Sequence, residues 1–422
     1  MRALLASSIS VACATALALP LAASAAASPS VSSAARSSSS SSAVELAGST
    51  QSLPLAPLGA TDRTLGAARA QGLPERNTEP FSLLGVVWDD AKAELHGSVQ
   101  VRTRAAGART WSGWQDVDTH NEEHAPDPGT AEYDAARVHG STAPLWVGHS
   151  DGVEVRVRPE AAGEGRATPG ALPRGLHIDL VDPGADPDGV GAADEAEQGD
   201  GVEDRALASG ARAGAAAARP YIGPRPRIIT RHGWGADEQL RDPGYVYTGK
   251  LKAAFVHHTA SGNNYSCSQA ASVLRSIYRY HVRSSGWRDI GYNFAVDKCG
   301  NIYEGRAGGV AKPVLGAHTL GFNTNSMGVA VIGTYTSTNP SAAALDAIAR
   351  LTAWKLGLYG VNPKGTTHLT SAGGNLYRKG RSVSLNVISG HRDGFATECP
   401  GARLYKKLGK ARSSSARLQG RR

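Results

Sequence analysis

Two stretches of the chain lack the periodic apolar pattern that a packed core requires, and they divide the sequence into separate folding units. Residues 26–78 are rich in Ser and Ala, and residues 182–226 combine Asp and Glu with runs of Ala, Gly and Pro. Such compositions bury too little apolar surface to offset the conformational entropy lost on folding. We therefore expect a disordered segment at 26–78, an acidic linker at 182–226, and a folded domain on each side of the linker.

The first 25 residues have the three parts of a secretory signal peptide. Met1-Arg2 is a short basic start, an uncharged apolar run extends from Ala3 to Ala22, and Ala23-Ser24-Ala25 is a small-residue cleavage site. A membrane anchor is the alternative, but Pro20 interrupts the run and no basic stop-transfer cluster follows. The sequence predicts an exported protein, extracellular or associated with the cell wall, whose mature chain has no membrane span.

The net charge of +8 conceals a division between the two parts of the chain. Residues 1–226 hold 18 basic and 28 acidic side chains, whereas residues 227–422 hold 27 basic and 9 acidic ones. We treat residues 409–422 as a basic tail. Such a surface favours polyanionic partners, and solubility is the alternative explanation. The export signal and the lack of interleaved basic and aromatic residues argue against nucleic acid, so we expect anionic wall polymers.

Residues 79–181 alternate apolar and polar side chains in short runs separated by Gly, Pro and Asp, as in His96–Arg104 and Val153–Val157. Alternation with a period of two predicts strands, so this segment predicts a small all-β, sandwich-like domain. Six histidines of the region have no metal-ligand spacing, and we expect surface positions or satisfied hydrogen bonds for them. They are His96, His120, His124, His139, His149 and His177.

Residues 227–408 alternate runs typical of buried strands with amphipathic helices. Ala253–His257 is apolar enough for a buried strand, and apolar residues recur at helical spacing over Ser268–Arg283 and Ala342–Leu358. Two further short runs flank Asp297-Lys298-Cys299-Gly300, which predicts a hairpin. This order predicts an α/β domain in which a mixed central sheet is flanked by helices.

The cysteines limit the chemistry of an exported chain. Removal of the leader removes Cys13 and leaves Cys267, Cys299 and Cys399, an odd number in an oxidising compartment. Cys267 and Cys299 are the first candidates for a disulfide, worth roughly 3 to 4 kcal/mol by chain entropy, with free thiols or other partners as alternatives. An exported, unpaired Cys399 would oxidise readily unless a metal ion held it as a thiolate.

Two histidines accompany Cys399 as candidate metal ligands. His391 lies eight residues before Cys399, and His257-His258 ends the predicted buried strand. Successive strand side chains point to opposite faces, so one histidine of the pair faces a site while the other packs, and we take His258 as structural. Two histidines and a thiolate leave a fourth position for water, as in catalytic zinc sites. A buried thiol with unrelated histidines stays open as the alternative.

Seven short motifs follow one another in the C-terminal part of the chain. They are Arg231–Ala236, Val256–Ala260, Gly286–Phe294, Gly300–Arg306, Gly316–His318, Gly321–Gly328, and Gly390–Asp393 with Thr397–Gly401. In this order they make residues 227–408 resemble the peptidoglycan recognition protein domain, which is shared with the type 2 N-acetylmuramoyl-L-alanine amidases. The leader, the all-β region and the linker resemble the secreted actinobacterial members, although this part is less rich in motifs.

The resemblance implies zinc ligands at His257, His391 and Cys399 and a catalytic tyrosine at Tyr292. Some members have a lysine two residues before the cysteine ligand, where this chain has Thr397. A hydroxyl group would therefore assist catalysis in place of a cation.

The resemblance also implies a peptide groove lined by His281 and His318, although either could be a satisfied surface histidine, and Asn323 would either bind substrate or fix a turn. The paired cysteines of the family correspond to Cys267 and Cys299. The hypothesis is a monomeric, secreted, zinc-dependent amidase that hydrolyses the lactyl–L-Ala amide bond of peptidoglycan. The alternative is a non-catalytic peptidoglycan-binding protein, as in members that lack the cysteine ligand.

Overall fold

The computed structural model describes residues 48–58, 70–160, 171–186 and 221–422. The predicted signal peptide at 1–25 lies outside the described residues. Among the helices of the described ranges, none combines the length and the apolar character needed to cross a membrane. Two domains are present, and the predicted order of an all-β domain followed by a mixed α/β domain is confirmed.

The all-β domain is an antiparallel sheet with the strand order β1-β8-β3-β7-β4-β5. Its strands are β1 (Ser49–Pro54), β2 (Ala56–Pro57), β3 (Gln71–Trp88), β4 (Gly97–Ala105), β5 (Gln115–Val117), β6 (Gly140–Ser141), β7 (Leu145–Pro159) and β8 (His177–Asp182). The expectation of disorder at 26–78 is wrong for β1, β2 and the start of β3. β1 is an edge strand with no fully buried residue, so its sequence carries no apolar alternation, and backbone pairing with β8 holds it in place.

Strand β3 contributes side chains to the cores of both domains, which explains the continuous apolar run at its end. Leu84, Val86 and Trp88 belong to the core of the all-β domain. Leu83 and Val87 point to the other face and join the core of the α/β domain. Tyr280 of the α/β domain also donates a hydrogen bond of 3.1 Å to a backbone carbonyl of the all-β domain. The two domains therefore share one apolar interface.

The α/β domain is built on a five-stranded sheet with the order β11-β10-β12-β9-β15, in which β10 and β11 form the predicted antiparallel hairpin and the other pairs are parallel. A separate hairpin, β13–β14, lies beside it. The strands are β9 (Ala253–His258), β10 (Phe294–Val296), β11 (Ile302–Glu304), β12 (Ser326–Val331), β13 (Thr366–Thr370), β14 (Ser382–Asn386) and β15 (Ile388–Gly390). The helices are α1 (Ala270–Arg279), α2 (Ala342–Leu358), α3 (Ala402–Tyr405) and α4 (Leu408–Leu418).

Helices cover both faces of the central sheet, as predicted. Val329 and Val331 of β12 pack in the core that includes α2, whereas Ala330 between them packs in the core that includes α1. Both helices begin at local signals, since Ser341 accepts the backbone N–H of Ala344 at the start of α2 and a capping box precedes α1. The alternation along β12 thus fixes one helix on each face of the sheet.

The end of the chain does not form a separate tail. Helix α4 packs on α2, and its buried residues Ala411, Ser415 and Ala416 are small enough for a close approach. The Thr352 hydroxyl donates a 3.0 Å hydrogen bond to Ser415. The prediction of a basic tail at 409–422 outside the domain is wrong in this respect, because small residues along one face of α4 let it pack closely on α2.

Candidate metal centre

Parallel pairing of β9 with β15 brings two histidines to one end of the sheet. His257 is the next-to-last residue of β9, and His391 directly follows β15. Their ring centroids lie 4.5 Å apart. His258, the other member of the pair, accepts a 3.2 Å hydrogen bond from the backbone N–H of Tyr335, as its predicted structural role requires. The strand alternation therefore separates a site histidine from a packing histidine.

Cys399 lies beside these two rings and is buried. Its sulfur is 3.8 Å from Nδ1 of His257. Tetrahedral zinc, at about 2.0–2.1 Å from nitrogen and about 2.3 Å from sulfur, separates such donors by about 3.6 Å. The spacing of the thiol and the imidazole is therefore compatible with a shared metal ion.

The all-β domain adds a third histidine, His124, to the cluster. His124 ends a short 3-10 turn, Glu122–His124, in the connection between β5 and β6. Its Nε2 is 3.8 Å from the sulfur of Cys399, and its ring centroid is 4.6 Å from that of His391. One donor atom from each of the four side chains lies within 4.8 Å of all the others. The expectation that His124 is a surface or satisfied histidine is wrong.

Two ring nitrogens of the cluster have no hydrogen-bond partner although they are buried. They are Nδ1 of His124 and Nδ1 of His391. A buried polar atom without a partner costs free energy, and a metal ion would satisfy Nδ1 of His391, whose Nε2 already faces the Glu123 carbonyl. Three imidazoles and a thiol are a donor set that suits zinc among the common divalent metals. The residues therefore fit the metal that the sequence predicted.

Burial also sets the protonation of the donors. It lowers the pKa of His257 and His391 well below the usual imidazole range, and it lowers the pKa of His124 to about 3. These rings are neutral, which is the form that binds metals. Burial raises the pKa of the Cys399 thiol well above its usual range, so a nearby cation is needed to hold it as a thiolate.

The two residues with predicted catalytic roles lie next to the cluster. The ring centroid of Tyr292 is 5.6 Å from that of His257, and burial raises the pKa of the phenol well above its usual range. The Thr397 hydroxyl donates a 2.8 Å hydrogen bond to the Glu123 carboxylate of the all-β domain. Tyr292 is therefore a protonated donor beside the cluster, and Thr397 is occupied by the other domain.

The three residues predicted to bind substrate are all buried. The ring centroid of His318 is 5.3 Å from that of His257, and the ring centroid of His281 is 5.6 Å from that of Tyr292. The side-chain oxygen of Asn323 accepts the backbone N–H of His318 at 2.7 Å, so Asn323 fixes a turn, one of its two predicted roles. The structure brings all three residues around the cluster, but it exposes none of them.

Comparisons with known proteins place the two domains in different families. The family described as N-acetylmuramoyl-L-alanine amidase matches residues 247–402, and the family described as Rv3811 N-terminal galactose-binding domain-like matches residues 34–174. Peptidoglycan-recognition protein SC2 of Drosophila melanogaster is 32% identical over 183 residues, which cover 43% of this chain and 84% of the relative. The chain belongs to the peptidoglycan recognition protein family.

Two further members cover the same part of the chain. An N-acetylmuramoyl-L-alanine amidase of Homo sapiens is 32% identical over 185 residues, which are 43% of this chain and 28% of the relative. The solved structure of peptidoglycan recognition protein-LE in complex with tracheal cytotoxin, described as monomeric diaminopimelic acid-type peptidoglycan, has 30% identity and a TM-score of 0.35. The match covers 43% of this chain and 92% of the chain in that structure.

In this member of the peptidoglycan recognition family, the cluster of candidate metal ligands is assembled from two domains. His257, His391 and Cys399 lie within the part matched by the amidase family, whereas His124 lies within the part matched by the galactose-binding-like family. Ligand spacing could not reveal His124, because its partners are more than a hundred residues away. The available signal was the length of the connection between β5 and β6, since loops of this length are uncommon unless they have a function.

The predicted disulfide of the peptidoglycan recognition domain is confirmed. Cys267 and Cys299 are bonded, with their Cα atoms 6.2 Å apart. The carboxylate of Asp297 fixes the hairpin turn by accepting the backbone N–H groups of Cys299 and Asn301 at 2.9 Å each. The bridge therefore joins the start of α1 to the β10–β11 hairpin.

Proposed function

We propose that the chain is a secreted, zinc-dependent N-acetylmuramoyl-L-alanine amidase, which hydrolyses the amide bond between the lactyl group of N-acetylmuramic acid and L-alanine in peptidoglycan. The observation that carries the proposal is the cluster of His257, His391 and Cys399 with Tyr292 beside it. A module that only bound peptidoglycan would not need a buried thiol next to neutral imidazoles. The amidase match and the named activity of the human relative support the same reaction.

The side chains around the cluster have distinct roles in the proposed reaction. Zinc, when bound, supplies Lewis-acid chemistry that polarises a carbonyl group and lowers the pKa of water. His257, His391 and Cys399 would hold the ion. Tyr292 keeps its proton because burial raises its pKa, so it can donate a hydrogen bond to the oxygen of the scissile carbonyl as negative charge develops there. The Thr397 hydroxyl is a second donor at the same place, once Glu123 no longer occupies it.

We further propose that the enzyme is exported and is retained on anionic wall polymers. The signal-peptide pattern at 1–25 supports export. Basic side chains exposed on the surface near the C-terminus support electrostatic retention, because a wall that carries phosphate polymers is polyanionic. These exposed residues are Arg403, Lys406, Lys407, Lys410, Arg417 and Arg422.

The test is hydrolysis of purified peptidoglycan by the full-length protein, loaded with zinc or stripped by a chelator. Cleavage of the proposed bond creates a free amino group on L-alanine and a carboxylate on the lactyl group, and mass spectrometry identifies both. Even slow release of these products would support the proposal, because their chemical structures identify the bond that was cleaved. If the zinc-loaded protein and the loop variants described below all bind the wall but leave it intact, the result would favour the non-catalytic binding protein.

Two substitutions separate metal binding from catalysis. Cys399→Ser should bind zinc more weakly and lose product, because a hydroxyl is a poor zinc ligand. Tyr292→Phe should keep its zinc and lose turnover by about 100-fold, the usual effect of removing one oxyanion donor. Tyr245→Phe, at an exposed position, is the matched control and should retain both zinc and turnover.

A further inference from the structure

One long connection of the all-β domain lies across the predicted peptide groove. We define the groove loop as residues 118–139, between β5 and β6. It forms hydrogen bonds with residues of the α/β domain that surround the metal cluster. Those partners are Leu320, Gly321, Asn323, His391 and Thr397. Asn323, His391 and Thr397 are residues to which the sequence assigns substrate, metal or catalytic roles, so the loop contacts the site itself.

The groove loop occupies donors that a peptide substrate would need. The backbone carbonyl of Glu123 accepts the N–H of Leu320 at 2.8 Å and is 3.1 Å from Nε2 of His391. The Glu123 carboxylate accepts the Thr397 hydroxyl. The loop therefore presents a peptide carbonyl and a carboxylate, which are the groups that an acidic peptide would offer to the same side chains.

Access to the site is blocked in this conformation. His281, His318 and Asn323 are no more than 1% exposed, and Tyr292 is 3% exposed. A cross-linked glycan strand cannot reach residues that are buried to this extent. Hydrolysis of the wall thus requires the groove loop to move.

His124 closes the metal site in the same conformation. Zinc sites with four protein ligands are typically structural, whereas catalytic sites keep one position open for water or substrate. The donor atoms of His124 and the three predicted ligands are close enough to surround one ion. We propose that the described conformation is a latent form of the enzyme, in which His124 is the fourth zinc ligand and the groove loop excludes peptidoglycan. This inference rests on the proposed function.

The groove loop is held firmly but can be released. Glu132 pairs with the buried Arg306 at 2.6 Å, and Arg137 pairs with Asp242 at 2.8 Å. In contrast, Oε2 of Glu123 is buried without a hydrogen-bond partner. Release of the loop would return this oxygen to water and recover its solvation. The groove loop is therefore in equilibrium between docked and released states. A bound wall fragment can shift this equilibrium by competing for the hydrogen-bond donors that the loop occupies.

Cobalt substitution tests the ligand without relying on activity. The zinc of the full-length protein is replaced by Co²⁺, and the visible absorption spectrum is recorded with and without azide. With four protein ligands, the wild-type spectrum should not respond to azide. The His124→Ala spectrum should respond, because an open position binds the anion. His120→Ala, an exposed histidine of the same loop, is the control and should behave as the wild type. An equal response of wild type and His124→Ala would overturn the proposal.

Hydrolysis of a soluble muropeptide tests latency. His124→Ala should be at least about tenfold faster than the wild type and His120→Ala, because more molecules have an open site. A slower His124→Ala with intact zinc would instead give His124 a part in catalysis and would refute latency. Glu132→Gln is the second variant, since it weakens docking without removing a ligand. It should raise both the azide response and the rate of muropeptide hydrolysis. If neither changes, the groove loop does not exclude substrate from the site.

The outcomes also separate this inference from the proposed function. If no variant cleaves peptidoglycan, the amidase proposal fails, and the cobalt spectra still decide whether His124 is a ligand. If every variant cleaves it at the wild-type rate with identical spectra, the amidase proposal stands and latency fails.

Discussion

The ion pair between Glu132 and Arg306 is a buried electrostatic link between the groove loop and the α/β domain. The Glu132 side chain is 7% exposed and the Arg306 side chain is 3% exposed. Arg288 lies 3.8 Å from the other oxygen of the same carboxylate. We predict that Glu132→Gln weakens docking of the loop while both domains stay folded, because their shared apolar interface involves other residues.

The size of the effect follows from what the substitution leaves behind. Removing one partner of a buried ion pair costs about 3–5 kcal/mol, because the other charge stays buried without compensation. Arg306 retains hydrogen bonds to the carbonyls of Ile290 and Leu315, at 2.9 and 3.0 Å, and glutamine preserves the side-chain shape. The cost should therefore be near the lower limit, about 3 kcal/mol, which is on the order of a 100-fold change in the docking equilibrium.

Hydrogen exchange of two backbone amides reports this equilibrium directly. The N–H groups of Leu320 and Gly321 donate to Glu123 and Asp127 of the loop, so they lose their acceptors when the loop leaves. In Glu132→Gln, both amides should exchange on the order of 100-fold faster when the loop recloses faster than the open amides exchange. Amides of the central sheet should not change.

The control is a charge removal on the same loop without a link to the other domain. The Glu122 carboxylate accepts a hydrogen bond from the backbone N–H of Asn121 within the loop. Glu122→Gln should leave the exchange of Leu320 and Gly321 close to that of the wild type. Unchanged exchange in Glu132→Gln, or equal acceleration in both variants, would show that the ion pair does not hold the loop.

Three further predictions address other parts of the molecule. Burial raises the pKa of Asp127 to about 6 in the docked loop, so this carboxyl weakens docking by roughly 2–3 kcal/mol as pH rises from about 4 to about 6. Asp127→Asn should remove this contribution, measured by amide exchange, and dock more tightly at pH 7, whereas the contribution of Glu123, whose pKa burial raises to about 8, should remain. Replacing Cys267 and Cys299 together by alanine should lower the unfolding free energy by roughly 3 to 4 kcal/mol without changing zinc content, as denaturant titration and metal analysis would test. Changing the exposed Lys410 and Arg417 to glutamate should weaken retention on purified wall at low salt but not at high salt, with unchanged turnover of soluble muropeptide; equal retention at all salt concentrations would contradict the electrostatic role.

Much of the α/β domain was predictable because its signals are local. The buried strand that contains His257, the hairpin around Asp297 and the helix over Ala342–Leu358 each follow from spacing within about twenty residues. The grouping of His257 with His391 was expected from ligand chemistry and from the family resemblance, whereas the parallel pairing of β9 with β15 that brings them together was not predicted. The edge strand β1 could not be predicted from its own sequence, because it is held in place by backbone pairing with a strand more than a hundred residues away.

The residues of the candidate site also differ in whether their signals are local or depend on contacts between distant parts of the chain. The three predicted ligands from the α/β domain carry motif and strand signals, whereas His124 becomes a ligand candidate only through docking of two domains. Docking depends on apolar residues of both domains, such as Leu83 in β3 and Ile277 in α1, and their alternation along the sequence is equally consistent with a core inside one domain. A sequence pattern states that a face is buried, but it does not state against which partner.

The location of His124 also changes the interpretation of the all-β domain. A domain that only tethered the enzyme to a ligand would need no contact with the metal cluster, and its long loop could lie anywhere on its surface. Here the loop places a histidine among the donors, an acidic residue on Thr397 and a carboxylate on Arg306, at three separate positions of the groove. Three matched contacts on one loop are difficult to explain as a by-product of domain packing. They are what the proposed control of the amidase site by the all-β domain requires.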